Sequence, residues 1–266
     1  MTSGKQSKRR RAAAAAAPPP VINKRQGRQA SPRVLIAAAV VLVLVAAAVV
    51  LGLVLSSGSS NANTMAPRDA TELPGAADVQ RLLKGIPQHG DVLGSPSAPV
   101  TMVEYVDLQC PYCQQFETQA MTTLIPRYVR TGKVRVELRP IAFIGPDSVR
   151  GRAAVLAAGR QNKLFNVAQL LYVNQGAENS GWLSDDLIEA AAVSIPGLDV
   201  TRFLADRNSS SVTSLAQQLD REAKADDVRS TPTILVGKSG RAPAPVTLSS
   251  PTDAGSVADA ISAALP

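Results

Sequence analysis

Cys110 and Cys113 are the only cysteines in the 266-residue chain, and only Pro111 and Tyr112 separate them. Two sulfurs this close can bond to each other, and the first can also attack a disulfide from outside. As a staple the pair would do little. Closing a four-residue ring constrains the unfolded chain by roughly 2 kcal/mol, against about 3 for a fifteen-residue loop. Number and spacing therefore point to a redox couple that exchanges with dithiols; an inert surface bridge is the structural alternative. Such chemistry needs neither a bound cofactor nor a metal. His89 is the sole histidine, in Pro87-Gln88-His89-Gly90, with no metal-ligand spacing around it. No phosphate loop or Ser-His-Asp arrangement appears either.

The surrounding sequence supplies the elements that would hold these sulfurs. Val100–Val106 is β-rich and apolar on both faces except at Glu104, the pattern of a central strand. The chain turns at Asp107-Leu108-Gln109, where Asp107 reads as a turn cap, and enters a helix at the cysteines. Pro111 suits the first helical position, where its missing N–H costs nothing. Cys113, Phe116, Ala120 and Leu124 fall on one stripe, Pro126 is expected to kink the helix, and Gly132 to end it. Lys133–Arg139 alternates as a second strand, parallel to the first across a helical crossover. At the helix start, the Cys110 sulfur faces unpaired N–H groups that favour thiolate, which makes it the expected exposed nucleophile. Cys113, one turn deeper, is expected to resolve the mixed disulfide. Glu104 shares a strand face with Met102 and Val106, so burial is expected to raise its pKa; an exposed strand-edge glutamate is the alternative.

Downstream, residues 147–229 are helical in pattern, with Ser184 capping one helix and Asp199 opening another that continues through Val212–Ala225. Thr231–Val236 reads as a third strand, paired as a hairpin with Pro245–Leu248, and Ser256–Leu265 as a final helix. Upstream, Asp78–Leu83 suggests a short helix and Gly90–Gly94 a turn-rich stretch. The order is β-α-β, a helical block of roughly 80 residues, then β-β-α, an α/β domain with no internal repeat.

Three segments together carry a resemblance: Gly90-Asp-Val-Leu-Gly-Ser-Pro-Ser-Ala-Pro-Val, Tyr105-Val-Asp-Leu-Gln-Cys-Pro-Tyr-Cys and Val228-Arg-Ser-Thr-Pro-Thr-Ile. From about Gly85 to the C-terminus the chain resembles the DsbA-like thiol–disulfide oxidoreductases of bacteria, in their membrane-anchored or exported branch. The resemblance implies a thioredoxin-like fold with a helical insertion at about 147–229. It also implies that Pro232 is cis and lies beside the cysteines, with Thr231 offering backbone hydrogen bonds to an incoming peptide and Pro111 and Tyr112 tuning the couple. Glu104 would move protons to and from Cys113. Strong oxidants of the family carry Pro-His between the cysteines. Tyr112 supplies no cationic ring, which predicts a weaker oxidant and leaves the direction of electron flow open. The implied partners are exported protein substrates and a quinone-linked membrane reoxidant, DsbB-like or vitamin-K-epoxide-reductase-like (VKOR-like). A monomer without a bound cofactor is expected.

Charge and hydropathy bound the rest. Residues 1–33 hold nine Lys/Arg and no acid, so the remaining chain carries 19 basic and 21 acidic residues, a net of −2. The basic balance thus belongs to a tail, and nothing suggests nucleic acid. Residues 34–55 are uncharged and, at 1.5 Å per residue, about 33 Å long as a helix, enough to cross a ~30 Å hydrocarbon core. A cleaved signal peptide is the competing reading, although its apolar region usually runs only about 7–15 residues. The expected organisation is a disordered cytoplasmic tail (1–33), a transmembrane helix (34–55), a stalk or linker (56–84) and the catalytic domain (85–266). The positive tail places the N-terminus inside and the domain outside, a compartment where disulfides persist.

Overall fold

The structure, a computed structural model, describes residues 72–266. The readings for residues 1–33, 34–55 and most of the stalk lie outside them. Among the described residues no helix is long and apolar enough to cross a membrane.

The sheet is built around β3 (Val100–Val106), whose seven residues are all buried. The β4 strand (Val134–Pro140) runs parallel to it, from Val100 opposite Val134 to Val106 opposite Pro140. On the other side β5 (Thr233–Lys238) is antiparallel, with Tyr105 opposite Thr233 and Glu104 opposite Ile234. The edges are a two-plus-two-residue hairpin, β1 (Gln88–His89) and β2 (Val92–Leu93), and the short β6 (Ala244–Val246), giving the order β1-β2-β4-β3-β5-β6. The thioredoxin-like architecture expected from the sequence is therefore present. The edge hairpin was not anticipated, because two-residue strands show no periodicity in a stretch of glycine and turn residues.

The helices sit on this frame. The crossover between β3 and β4 begins as α2 (Pro111–Gln115), passes through α3 (Met121–Leu124), and includes two widened π-type turns, Phe116–Ala120 and Ile125–Val129. The kink expected at Pro126 takes the form of the second of these turns, where a residue without an N–H is accommodated. The insertion comprises α4 (Pro146–Gly159), α5 (Leu164–Val173), α6 (Asp185–Val193), α7 (Val200–Asp206) and α8 (Ser210–Ala225). The single helix expected from Asp199 to Ala225 is two, because the Ser209 hydroxyl caps a fresh start by accepting from Val212 N at 3.3 Å. The closing helix, α9 (Ala254–Ala264), packs on β5 and β3.

At the front of the domain, α1 (Ala76–Leu83) lies in the segment read as linker, yet Ala76, Val79 and Leu83 are buried in the main core. It is fixed at both ends. A Cβ on Gly75 (φ +83°) would meet Val173 Cγ1 at 2.5 Å, and the Arg130 guanidinium donates to the Leu82 and Lys84 carbonyls, each at 2.6 Å. The folded body thus extends upstream of residue 85.

Candidate active site

The turn that ends β3 is held by one carboxylate. Fully buried Asp107 accepts from Gln109 N (2.8 Å) with one oxygen and from Phe143 N (2.6 Å) and Ile144 N (2.9 Å) with the other. As expected from the sequence, it caps the turn, and it also ties the loop after β4 to the cysteine turn. Asp107→Ala leaves three N–H groups without their acceptor. The expected loss is roughly 2–3 kcal/mol, seen as a lower midpoint in a chemical-denaturation curve.

Cys110 stands at the N-cap of α2 with Pro111 in the first turn, and its sulfur accepts from Cys113 N at 3.4 Å. That sulfur also lies 3.3 Å from the Thr231 carbonyl oxygen, a contact across 121 residues of sequence. The Thr231–Pro232 peptide is cis. One sequence expectation is corrected here: Cys110 is not an exposed nucleophile but only 4% accessible, because the Thr231 segment covers it. The two residues between the cysteines are the exposed part of the motif, with Tyr112 at 57%.

The two thiols are electrostatically unlike. A hydrogen bond from the Cys113 thiol is the main cause that pulls the Cys110 thiol down to about 6. Burial opposes it, and the Thr231 hydroxyl and the Cys113 and Tyr112 N–H groups reinforce it. Burial drives Cys113 well above an ordinary thiol, and the neighbouring Cys110 adds to this. At neutral pH the reduced site therefore holds one thiolate and one thiol. Thr231→Val removes the hydroxyl at constant volume. The midpoint of Cys110 alkylation against pH is expected to rise from about 6 by up to ~1 pH unit.

The core also holds a second titratable pair. Glu104 is fully buried, and neither of its oxygens meets an N–H or O–H donor among the described residues. Burial is the main cause holding its pKa well above the usual carboxyl range, with Glu117 second. Glu117 lies four residues after Cys113, on the same side of the helical run, and is 2% exposed. Burial raises it to about 7, while Glu104 and Gln169 hydrogen bonds hold it down; Gln169 Nε2 donates to its Oε2. Two carboxyls in one dry site cannot both ionise, so they hold a proton between them. The sequence reading found Glu104 and missed Glu117, although the four-residue spacing from Cys113 was visible.

The helical insertion closes the site from the other side. The buried Tyr172 hydroxyl donates to the Asp107 carbonyl (3.1 Å), and Gln175 Nε2 donates to the carbonyls of Leu108 (2.8 Å) and Cys110 (3.2 Å). Gln109 donates to Ser148 Oγ (2.9 Å) and Asn179 Oδ1 (3.2 Å) and accepts from Asn179 N (2.6 Å). Gln175 and Tyr172 carry no motif spacing, and only the fold brings them to the cysteine turn. Each carbonyl of the cysteine turn that they satisfy is one the turn need not release to water.

This arrangement matches known proteins. A family profile described as thioredoxin covers residues 88–247, more than half of the chain. The probable disulfide bond formation protein D of Bacillus cereus is 29% identical over 147 residues, spanning 54% of this chain and 68% of that protein. Oxidised BdbD from Bacillus subtilis superposes with a TM-score of 0.57 at 19% identity, covering 65% of this chain and 91% of that one. DsbA from Chlamydia trachomatis gives 0.51 at 19% identity, covering 55% and 80%. Those two likenesses concern the fold alone, whereas the profile spans the motif residues themselves. The chain belongs to the thioredoxin family, among its DsbA-like thiol–disulfide oxidoreductases.

Proposed function

We propose that this chain is a membrane-anchored, extracytoplasmic oxidase that introduces disulfides into exported proteins through Cys110 and Cys113. The observation that carries this reading is the inequality of the two thiols. Stabilising the Cys110 thiolate stabilises the reduced site, and a couple with a stabilised reduced form is an oxidant. In the forward reaction a client thiolate attacks the Cys110 sulfur of the disulfide, forming a mixed disulfide and releasing Cys113 as thiolate. A second client thiolate then attacks the client sulfur of that bond. The client leaves oxidised, and Cys110 departs as thiolate with the electron pair.

The departing Cys113 sulfur is buried and takes up a proton. Glu104, with Glu117 beside it, is the proposed source, and Gln169 is the residue that positions Glu117. Thr231 and Pro232 would receive the client backbone as an added strand, with Pro111 and exposed Tyr112 flanking it. Residues 34–55 would anchor the domain outside the membrane, near a DsbB-like or VKOR-like reoxidant. The domain would act as a monomer.

A reductase or isomerase is the second reading, favoured by Tyr112, which brings no cation to the thiolate. Equilibration with glutathione buffers decides between them. A potential above roughly −200 mV supports the oxidase, and one near about −270 mV, typical of thioredoxin, overturns it. Protease treatment of intact cells tests the location: a domain protected until the membrane is opened would overturn the extracytoplasmic placement.

A further inference from the structure

Gln175 reaches the cysteine turn from the loop that joins α5 to α6, across 65 residues of sequence. Its one Nε2 group donates to two carbonyls, Leu108 (2.8 Å) and Cys110 (3.2 Å), on either side of Gln109. The second of these belongs to the residue that carries the nucleophilic sulfur. The Tyr172 hydroxyl donates to a third carbonyl of the turn, that of Asp107 (3.1 Å). The insertion therefore supplies a donor to the carbonyls of Asp107, Leu108 and Cys110, while the Cys110 sulfur itself accepts from Cys113 N (3.4 Å).

The loop holds this donor in place before any client arrives. The Tyr172 carbonyl accepts from Gln175 N and from Gln114 Nε2, both at 3.3 Å. Asn174 Nδ2 donates to the carbonyls of Leu170 (2.8 Å) and Pro74 (3.0 Å). Gly176 lets the chain pass close to Trp182, whose Cβ a side chain at that position would meet at 2.6 Å. A donor fixed by its own neighbours acts on the turn without an ordering cost at each turnover.

A carbonyl oxygen is the negative end of its peptide dipole, and that of Cys110 belongs to the same residue as the thiolate. A donor on this oxygen offsets part of the negative potential at the sulfur. The anionic, reduced site gains from it, and the uncharged disulfide gains less. We propose that Gln175 is a positioning residue through which the helical insertion sets the redox poise of the Cys110–Cys113 couple. The inference rests on thiol–disulfide exchange at that couple and holds for either direction of electron flow. Burial and hydrogen bonds are the strongest influences on the Cys110 sulfur, with no cation among them, so fixed N–H dipoles carry the stabilisation that Tyr112 does not bring.

Gln175→Met and Gln175→Lys in the purified full chain test this, read by the pH midpoint of Cys110 alkylation and by equilibration with glutathione buffers. Methionine keeps the reach and removes the donor. The midpoint is expected to rise from about 6 by roughly 0.5–1 pH unit. At pH 7 the equilibrium should shift about two- to sixfold toward the disulfide, a potential lower by about 10–20 mV. Lysine, at a half-buried position that admits it, replaces the dipole with a full positive charge. It should move both readouts the other way, by up to ~1 pH unit and about 30 mV. Opposite signs mark an electrostatic role, since a residue that only packs the loop would shift both variants alike. Shifts in the same direction, or parent values in both variants, would overturn the proposal. A parent potential near about −270 mV would overturn the oxidase reading and leave these differences intact.

Discussion

Replacing Cys113 with serine converts the protein into a trap. The Cys110 thiolate, formed above a pH of about 6, still attacks a disulfide, but nothing within the site can displace the product. Mixed disulfides with client proteins should accumulate and appear as high-mass bands on non-reducing gels that collapse with dithiothreitol. Cys110→Ser gives the opposite result, because the remaining Cys113 is buried and held as a thiol well above ordinary thiol pKa values. No adduct forms, and both variants lose turnover to the uncatalysed rate. A Cys110→Ser protein that still trapped clients would reverse the assigned order of attack.

Glu104→Gln has the second large effect, and it runs against intuition: the variant is expected to be more stable than the parent. The folded-state pKa of Glu104 is raised, so its protonated form is the one that fits the fold. A raised group contributes stability that is complete below the unfolded carboxyl value and is lost as pH climbs through the folded one. For Glu117 that loss centres near 7, and for Glu104 it lies well above the usual carboxyl range. An amide keeps a donor for Glu117 and never ionises. At about pH 8 the variant should gain on the order of 2–4 kcal/mol, and near pH 4 almost nothing, as read from denaturation midpoints. Turnover should fall at least about tenfold, with its pH profile flattened, if the carboxyl delivers the Cys113 proton. A variant with equal stability at both pH values would mean that the pair is not protonated as described.

Much of this site could be read from residue order, and the exceptions share a cause. Val100–Val106 appeared as a strand with its bounds intact, since a run of β-formers buried on both faces reports its own environment. Ser184 and Asp199 announced helix starts that the structure shows, with each side chain accepting the N–H three residues on. Cys110 was misjudged as exposed because its cover, Thr231, is far away in sequence. Glu117 went unnoticed because one acid in a polar-looking Phe-Glu-Thr-Gln stretch does not advertise burial. The packing of α1 depends on Val173 and Arg130, neither of which is a local signal.

Residue types and spacing alone determined the redox couple, the strand and helix that present it, and the family to which the chain belongs. These follow from local rules: a nucleophile at a helix start, alternation along a strand, a proline where a donor is not needed. Tertiary structure decided the burial of Cys110 beneath Thr231, the shared proton between Glu104 and Glu117, and the glutamine and tyrosine contacts that fasten the insertion to the cysteine turn. Those properties are energies of burial and of contact between distant residues, and a chain acquires them only once it has closed on itself.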